Sequence, residues 1–344
     1  MNELKFLVIL LLFGFVGEAA SQGLNEVVEL AEIMEENEIP GISLTYVKSG
    51  EINLETGQGK KNDSEVVDQE TVFSAASLSK PIFAYIVMQL VDEGTIDLDR
   101  PLHEYYEYPD VANEKRHLGV TAKMILSHTS GLPNWRKKKL KFLFEPGEKY
   151  SYSGEGYVWL QRVVEHLKQK RLDEIAQEYV FGPLGMTRSS YVFCPEFEDN
   201  YSISYRKNGV SREKNRISQE NAAASLQTTA GDYGKFLIAL MSGDAISDET
   251  RELMFTPVKT TQPKEDEPKI FWGLGVGIQM TEGGPQIFQW GDNWTFRGYF
   301  TANIETKDAV IYLTNSENGL IPVREFVGEF MTDPQPAADW LNYK

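Results

Sequence analysis

The chain has 344 residues, of which 41% are hydrophobic and 25% charged, and its formal net charge is −17. This length and composition are those of a globular protein with a sizeable core. A nucleic-acid-binding protein presents a basic face, so the acidic balance argues against a nucleic-acid partner and against binding to an anionic membrane surface.

Residues 1–20 differ in composition from the rest of the chain. Lys5 precedes an apolar run over residues 6–16, and small residues follow. This order is typical of a secretory signal peptide, with cleavage expected near Ala19 to Ser21. The run is shorter than the roughly 20 residues that span a bilayer. We therefore expect export to the periplasm or the extracellular space, with no stable membrane span after cleavage. An uncleaved anchor is the alternative.

Cysteine and histidine give no sign of a disulfide or a metal site. Cys194 is the only cysteine, so an intrachain disulfide is excluded, and we expect a small buried apolar side chain there. The four histidines lack the spacing of a metal-binding motif. We expect neither a metal nor an organic cofactor.

The first secondary-structure elements are predicted from periodicity and turn residues. The stretch "LNEVVELAEIMEENEIPG" has the apolar spacing of a helix that ends at Pro40. Residues 41–60 alternate around Ser49-Gly50, which predicts a β-hairpin. A helix with an apolar stripe is then predicted, starting at or just before Ser77 and with Pro81 in its first turn.

The remaining chain changes from a helical to an extended pattern. Residues from about 97 to 232 are predicted as helices and loops. The segments "IFWGLGVGIQM", "PQIFQWGDNW", "FRGYFTANIET" and "DAVIYLTNSEN" are predicted as successive strands, and "IPVREFVGEFM" as a last helix. Strands at both ends around a helical middle predict an α+β fold with a mostly helical inserted subdomain.

Ser77 and Lys80 form an S-x-x-K element at the start of the predicted helix. Residues three apart share one helix face. A serine becomes nucleophilic when a base takes its proton, and lysine can be that base when burial lowers its pKa. Free N–H groups at a helix start can stabilise an oxyanion. The alternative is a chance pair on a solvated helix, which the small and apolar flanks disfavour.

Further stretches occur in the order of one known family. The chain resembles the serine β-lactamase and penicillin-binding-protein superfamily, in its branch of class C β-lactamases, DD-peptidases and related esterases. The resemblance covers residues 39–315 and implies a β-lactamase-like domain over residues 21–344, with an antiparallel β-sheet flanked by N- and C-terminal helices. The similar stretches are "FSAASLSKPI", "VTAKMILSHTSGLP", "FEPGEKYSYSGEGYVWLQRVVE", "PLGMTRS" and "AAASLQTTAGDYGKFLIALM".

The second family motif, Y-x-N, falls in "YSYSG". Tyr150 and Tyr152 are both available, and the triplet ending at Gly154 aligns best, so the resemblance implies Tyr152 as a catalytic residue. A tyrosinate beside a protonated Lys80 is expected to have a lowered pKa, and the pair is expected to transfer the proton of Ser77. Gly154 replaces the Asn that contacts amide substrates, which weakens the case for amide-type recognition.

The third family motif, K-T-G or H-x-G, has two possible registers. The better one is Gln289-Trp290-Gly291, since Gly lets a substrate approach the strand. The resemblance then implies an oxyanion hole made by the N–H groups of Ser77 and Asp292. The second register places Asp292-Asn293-Trp294 at the triplet. The expected substrate-binding residues are Gln289, Trp290, Gly291, Gly154 and Trp294.

The cation that holds a substrate carboxylate in the family is missing at Gln289. Asp292 would repel an anion, and Arg297 is the candidate replacement for the cation. Trp290 and Trp294 are expected either to make the mouth apolar, as suits neutral acyl groups, or to pack in the sheet.

Two other features have simpler explanations. The family resemblance makes His128, in "LSHTSG", a residue that fastens a loop, although histidine can also serve as a base. The basic run over residues 136–141 is expected to be a solvated face. Attraction of an anionic substrate to the cleft rim is the alternative.

These expectations combine into one function. The sequence predicts an exported serine hydrolase that forms an acyl-enzyme on Ser77 with a small-molecule or peptide substrate carrying an ester or amide carbonyl. Esterase or D-amino-acid peptidase activity is favoured. The alternatives are a class C-like β-lactamase and a penicillin-binding or sensing protein with little turnover.

Overall fold

The computed structural model describes residues 28–344 except 215, 263, 266 and 268. The predicted signal peptide, residues 1–20, lies outside the described residues.

A large antiparallel sheet is the centre of the described chain, with eight strands in the order β2-β1-β12-β11-β10-β9-β8-β7. Two short pairs, β3 with β6 and β4 with β5, lie outside it. The strands are β1 Gly41–Lys48, β2 Glu51–Gly59, β3 Phe73–Ala76, β4 Ser204–Tyr205, β5 Ser211–Arg212, β6 Leu226–Thr228, β7 Lys259–Thr260, β8 Ile270–Trp272, β9 Gly277–Thr281, β10 Gly284–Asp292, β11 Arg297–Asn303 and β12 Asp308–Thr314.

Helices occur before, between and after these strands. In the described residues they are α1 over 28–36, α2 Ser79–Asp92, α3 Ala122–Leu126, α4 Gly154–Lys168, α5 Leu172–Ala176, α6 Ala230–Ser242, α7 Asp248–Phe255, α8 Val323–Gly328 and α9 Pro336–Leu341. None of these described helices is both long and apolar enough to cross a membrane. The predicted α+β class and antiparallel sheet are confirmed.

The predicted hairpin at the N-terminal end is also confirmed. β1 and β2 pair antiparallel and are joined by Ser49 and Gly50. Both have positive φ, 52° and 83°. This is the backbone geometry of a tight hairpin whose twist matches that of its strands.

The sheet is buried on both faces, as β12 shows. Val310 and Tyr312 pack in the apolar cluster that contains residues of α1 and α8. Ile311 and Leu313 point to the opposite face, into the cluster with α2 and α6. Side chains alternate along a strand, so an uninterrupted apolar strand needs a helical layer on each side.

Two predicted boundaries differ from the structure. The segment "IFWGLGVGIQM" forms two strands, β8 and β9, because the chain turns between them at Gly275, where φ is 97°. The helix α8 is not the last one, since α9 follows it. With only six residues, α9 is too short to show a helical period.

Candidate active site

Ser77 lies in the turn between β3 and α2. The helix begins at Ser79, not at or before Ser77 as the sequence suggested. The reason is Ala76, whose φ of 49° breaks the regular path before the serine. A non-glycine residue in this region costs about 1–3 kcal/mol, and such residues cluster at functional sites. The turn leaves Ser77 partly exposed, while Leu78, Ser79 and Lys80 are buried.

Lys80 is fully buried and directed at this serine. Its Nζ atom lies 3.0 Å from Ser77 Oγ and donates a hydrogen bond to the Ala223 carbonyl oxygen at 2.7 Å. Burial lowers the pKa of Lys80 well below its ordinary value. A neutral amine in this position can accept the hydroxyl proton of Ser77 while keeping its bond to Ala223.

The segment before β6 holds Ala223 in place. The Asn221 side chain accepts from the Ala223 N–H at 2.8 Å. One turn along the chain, the Leu226 N–H donates to Ser79 Oγ at 2.9 Å. Two points of the stretch that contains Ala223 are thereby fastened, one of them to the first residue of α2. This gives the stretch over residues 222–241 a physical role beside the nucleophile.

Tyr152 is the tyrosine that reaches the serine. Its hydroxyl interacts with Ser77 and accepts a hydrogen bond from Gln289 Nε2 at 2.8 Å. The second candidate, Tyr150, instead packs its ring 5.5 Å from that of Trp272. The choice of Tyr152 over Tyr150 as the neighbour of Ser77 therefore agrees with the geometry.

The expected tyrosinate is wrong. Burial raises the pKa of Tyr152 above its ordinary value, despite the hydrogen bonds from its neighbours. The same desolvation lowers the pKa of Lys80, whose Nζ lies 4.7 Å from the Tyr152 ring centroid. The ion pair expected from the sequence is therefore disfavoured, because burial destabilises the charged form of both groups. This favours Tyr152 as a proton donor and Lys80 as a proton acceptor.

Gln289 lies beneath the cleft and not on its wall. The side chain is fully buried, and its amide donates to the Tyr152 hydroxyl and, at 3.3 Å, to the Ser77 carbonyl oxygen. It therefore orients the tyrosine and the serine, which differs from the expected contact with substrate. A donor to the Tyr152 oxygen also leaves the hydroxyl proton of Tyr152 free to be given away.

The strand β10 decides between the two registers of the third motif. A Cβ atom on Gly291 would lie 2.4 Å from the Ala75 carbonyl oxygen, so the strand touches the segment before Ser77 at that glycine. Trp294, the last residue of the second register, lies beyond the end of β10 and is 77% exposed. The register Gln289-Trp290-Gly291 is the one that lies beside Ser77.

The hydrogen-bond pattern also orients the N–H of Asp292. Asn293 N–H donates to the Phe296 carbonyl oxygen, so those two residues form a hydrogen-bonded pair. The next pair, Asp292 with Arg297, is then a non-hydrogen-bonded one. The Asp292 N–H points away from β11, to the edge that β9 leaves open after Phe288. This is the orientation that an oxyanion hole shared with Ser77 requires.

A cleft of about 470 Å³ opens over Ser77. Five of its twelve lining residues are aromatic, and the full set is Ala76, Ser77, Asn134, Trp135, Tyr152, Ala224, Trp290, Asp292, Asn293, Trp294, Arg297 and Tyr343. Trp290 does both things expected of it, since it lines the cleft and packs 4.9 Å from the Tyr152 ring. A larger depression of about 660 Å³ lies along α4 and α5, but its Arg162 and Arg171 are paired with neighbouring carboxylates.

Gly154 makes room for one of these aromatic side chains. A Cβ atom at Gly154 would lie 2.7 Å from the Trp135 ring. The Gly154 N–H donates to the Asn134 carbonyl oxygen at 3.1 Å, which holds the two segments together. The indole therefore occupies the space of the family's amide side chain, so this wall is aromatic where the family has a polar group.

His128 fastens the loop that carries Tyr152. Its Nδ1 accepts from the Ser153 N–H at 3.1 Å, and its carbonyl oxygen accepts from the Ser151 N–H at 2.8 Å. The ring lies 4.2 Å from that of Tyr152. Burial lowers the pKa of His128 well below its ordinary value. These contacts agree with the loop-fastening role.

The other singled-out residues lie away from the nucleophile. Arg136, at the start of the basic run, pairs with Glu155 at 2.6 Å and is also close to Asp110. Cys194 is half-buried, and burial raises the pKa of its thiol. The described residues contain no cluster of His, Cys, Asp and Glu that could hold a metal ion.

Some site residues have no recognisable signal in the sequence. Ala223 acts through a carbonyl oxygen, which every residue type has. Trp135 lies two residues after a family stretch, and an aromatic residue there is the one available hint. Tyr343 reaches Asp292 from a position 51 residues later in the chain, and only folding brings them together.

The chain is similar to known proteins in both sequence and fold. Residues 29–324 match the Beta-lactamase family. A penicillin-binding protein of Bacillus subtilis (strain 168) is 25% identical over 76% of this chain and 64% of its own length. Penicillin-binding protein 4 of Amycolatopsis lactamdurans is 30% identical over 59% of this chain and 57% of its own length. The chain thus spans less than two thirds of each of these two relatives.

Two solved structures share the fold. The octameric penicillin-binding protein homologue from Pyrococcus abyssi superposes with a TM-score of 0.75 and 25% identity, covering 86% of this chain and 73% of the other. The D-alanine carboxypeptidase AmpC from Burkholderia cenocepacia superposes with a TM-score of 0.76 and 17% identity, covering 91% and 98%. The chain therefore belongs to the Beta-lactamase family of β-lactamases and penicillin-binding proteins.

Proposed function

We propose that the protein is a serine hydrolase that forms an acyl-enzyme on Ser77 and acts on esters or D-amino-acid peptides. One observation carries the proposal. The buried Lys80 amine lies 3.0 Å from Ser77 Oγ, and its pKa is lowered by burial. A neutral amine at hydrogen-bond distance is the base that a serine nucleophile needs.

The reaction follows from the neighbouring groups. Ser77 Oγ attacks the carbonyl carbon as its proton passes to Lys80 Nζ. The N–H groups of Ser77 and Asp292 stabilise the oxyanion that forms. The bond to the leaving group breaks, and the protonated Tyr152 supplies a proton to the leaving oxygen or nitrogen, regaining one from Lys80. Water then attacks the acyl group and releases it by the reverse proton path.

The preference for esters over β-lactams rests on what surrounds these residues. Trp135 fills the space beside Gly154. Gln289 is neutral, and Arg297 has Asp292 as a partner at 3.4 Å. Each of these features weakens the recognition of the carboxylate and amide that a penicillin carries.

Labelling of Ser77 tests the proposal. A fluorophosphonate probe is expected to label the wild type and the Ser64→Ala variant, in which an exposed serine outside the cleft is lost, but not Ser77→Ala. Peptide mapping is expected to locate the adduct on Ser77. Equal labelling of Ser77→Ala would contradict the proposal.

A substrate panel then ranks the activities. We expect turnover of short-chain p-nitrophenyl esters, weaker turnover of D-alanyl peptides and slow hydrolysis of nitrocefin. Fast nitrocefin hydrolysis without ester turnover would reverse this order and favour a β-lactamase.

A penicillin-binding protein with little turnover is the second candidate, because two relatives bear that name. It predicts a burst of about one equivalent of product, followed by almost no further release.

We also propose that residues 1–20 direct export and are removed. N-terminal sequencing of protein recovered outside the cytoplasm is expected to start near Ser21. A mature chain that begins at Met1 would contradict it.

A further inference from the structure

The cleft is lined by the guanidinium of Arg297, which already has interaction partners within the protein. Arg297 on β11 lies opposite Asp292 at the end of β10. Its Nε atom is 3.4 Å from Asp292 Oδ1, an ion-pair distance without a hydrogen bond, and its side chain is only 13% exposed. A second nitrogen, Nη1, donates to the Glu317 carbonyl oxygen. The guanidinium carbon lies 4.9 Å from the centre of the Tyr343 ring.

The carboxylate of Asp292 also has hydrogen-bond partners within the protein. Its Oδ2 atom accepts a hydrogen bond from the Tyr343 hydroxyl at 2.8 Å. Its Oδ1 atom accepts from the Trp294 N–H at 2.8 Å. Burial and the nearby Asp292 raise the pKa of Tyr343, so this hydroxyl remains a donor at neutral pH. Asp292 is thus hydrogen-bonded to Tyr343 and ion-paired with Arg297, and we call these three residues the Asp-Arg-Tyr clamp.

The clamp has a consequence for charged substrates. A substrate carboxylate that approaches Arg297 must compete with a carboxylate of the same chain. It also meets the negative charge of Asp292 at short range, where opposition of like charges costs on the order of a few kcal/mol. A neutral group meets neither obstacle, and the aromatic wall of Trp135, Trp290 and Tyr343 offers it apolar contact.

We propose that the Asp-Arg-Tyr clamp is a specificity determinant that restricts the cleft to substrates without a carboxylate at the Arg297 end. The substrate class is therefore an uncharged ester or amide with an apolar group. This inference rests on the proposed function, and it predicts that release of Arg297 creates an anion site where the wild type has none.

Matched ester pairs test the clamp. One pair, p-nitrophenyl butyrate and mono-p-nitrophenyl glutarate, differs by a carboxylate on the acyl group. The other, phenyl acetate and 3-carboxyphenyl acetate, differs by a carboxylate on the leaving group. The readout is the ratio of kcat/KM for the neutral and anionic members. The wild type is expected to favour the neutral member of at least one pair by about tenfold or more.

The variants separate the three residues. Asp292→Asn keeps the backbone N–H and removes the charge, and it is expected to reduce that ratio by about tenfold. Adding Arg297→Gln is expected to restore the preference, because the freed guanidinium is then absent. Tyr343→Phe keeps the ring and loses one hydrogen bond, so a smaller change of about threefold is expected. Asp248→Asn breaks a control pair, Asp248–Arg251, whose carboxylate is 94% exposed, and is expected to change nothing.

A binding measurement keeps the test independent of turnover. Calorimetry with benzoate on Ser77→Ala and on Ser77→Ala/Asp292→Asn is expected to show binding at least about tenfold tighter to the double variant. If the wild type hydrolyses neither esters nor D-alanyl peptides but benzoate behaves as expected, the proposed function fails and the clamp stands. If neither the ester ratios nor benzoate binding respond to Asp292→Asn, the clamp is wrong, whatever the enzyme hydrolyses.

Discussion

Lys80 Nζ lies 3.0 Å from Ser77 Oγ and 2.7 Å from the Ala223 carbonyl oxygen, in a position closed to solvent. The carbonyl oxygen accepts one N–H of the amine and so holds Nζ beside the serine. Burial lowers the pKa of the amine, which favours the form that can accept the serine proton. The nucleophile and its base are therefore already in position before a substrate binds.

Tyr152 is predicted to protonate the leaving group. Tyr152→Phe should lower kcat/KM for a phenyl or alkyl ester by about 10²–10⁴-fold, the usual contribution of a general acid. The loss should be much smaller for a p-nitrophenyl ester, whose leaving group needs no proton. Parallel steady-state kinetics on the two esters measure the difference. An equal loss on both would assign Tyr152 another role.

Lys80 is predicted to lower stability as the pH falls. The unfolded chain binds a proton at Lys80 below the ordinary pKa of 10.5, whereas the folded chain, with its lowered pKa, does not. The free energy of unfolding therefore decreases as the pH falls below 10.5, by up to about 1.4 kcal/mol per pH unit. Lys80→Met lacks this dependence and is inactive. Urea unfolding of both proteins between about pH 10 and pH 7 should show a difference that grows as the pH falls.

A difference in unfolding free energy that is constant with pH would mean that Lys80 stays charged in the folded protein.

His128 is predicted to give the protein an acid limit of stability. Its folded pKa lies well below 6.5, so the unfolded chain takes up a proton first and stability falls as the pH drops below that value. Asn accepts a hydrogen bond and tolerates the φ of 55° at this position. His128→Asn should therefore be less stable near neutral pH but should lose less on acidification. The exposed His166, changed to Asn, is the control and should keep the wild-type slope. Thermal unfolding from about pH 8 to pH 5 measures both.

Gly291 is predicted to admit no side chain. A Cβ atom would lie 2.4 Å from the Ala75 carbonyl oxygen, which belongs to backbone and cannot turn aside. Gly291→Ala should push β10 away from Ser77, displace the Asp292 N–H and reduce kcat by about 10²-fold or more. Gly328→Ala, at a helical glycine with open space around it, should leave activity unchanged. Wild-type kcat in Gly291→Ala would show that the strand does not contact the nucleophile turn so closely.

Gly154 is predicted to set the choice between ester and amide. Gly154→Ala and Gly154→Asn should both displace the Trp135 ring, which lies 2.7 Å from the added Cβ, and change tryptophan fluorescence. Only Gly154→Asn also supplies an amide to the cleft, so it alone should raise the ratio of amide to ester hydrolysis, by about tenfold. The same ratio in both variants would mean that the polar group is irrelevant.

The local features of this protein could be predicted from its amino-acid sequence. The S-x-x-K pair, the tight hairpin at Ser49-Gly50 and the alternating strands of the large sheet depend on neighbours in the chain, so spacing and turn chemistry suffice to predict them. The order of the family stretches made it possible to predict the fold as well. The boundary at Ser79 was missed because one strained residue, Ala76, stops the helix from starting earlier.

The electrostatics of the candidate active site, in contrast, could be obtained only from the three-dimensional structure. Whether Lys80 and Tyr152 form an ion pair or a neutral pair depends on desolvation, which is set by the packing of distant elements around both. The availability of Arg297 likewise depends on Asp292 and Tyr343, which meet only when α9 has returned to the sheet. Spacing along a chain gives the type of group at a site, but charge and partners follow from what the fold places beside it.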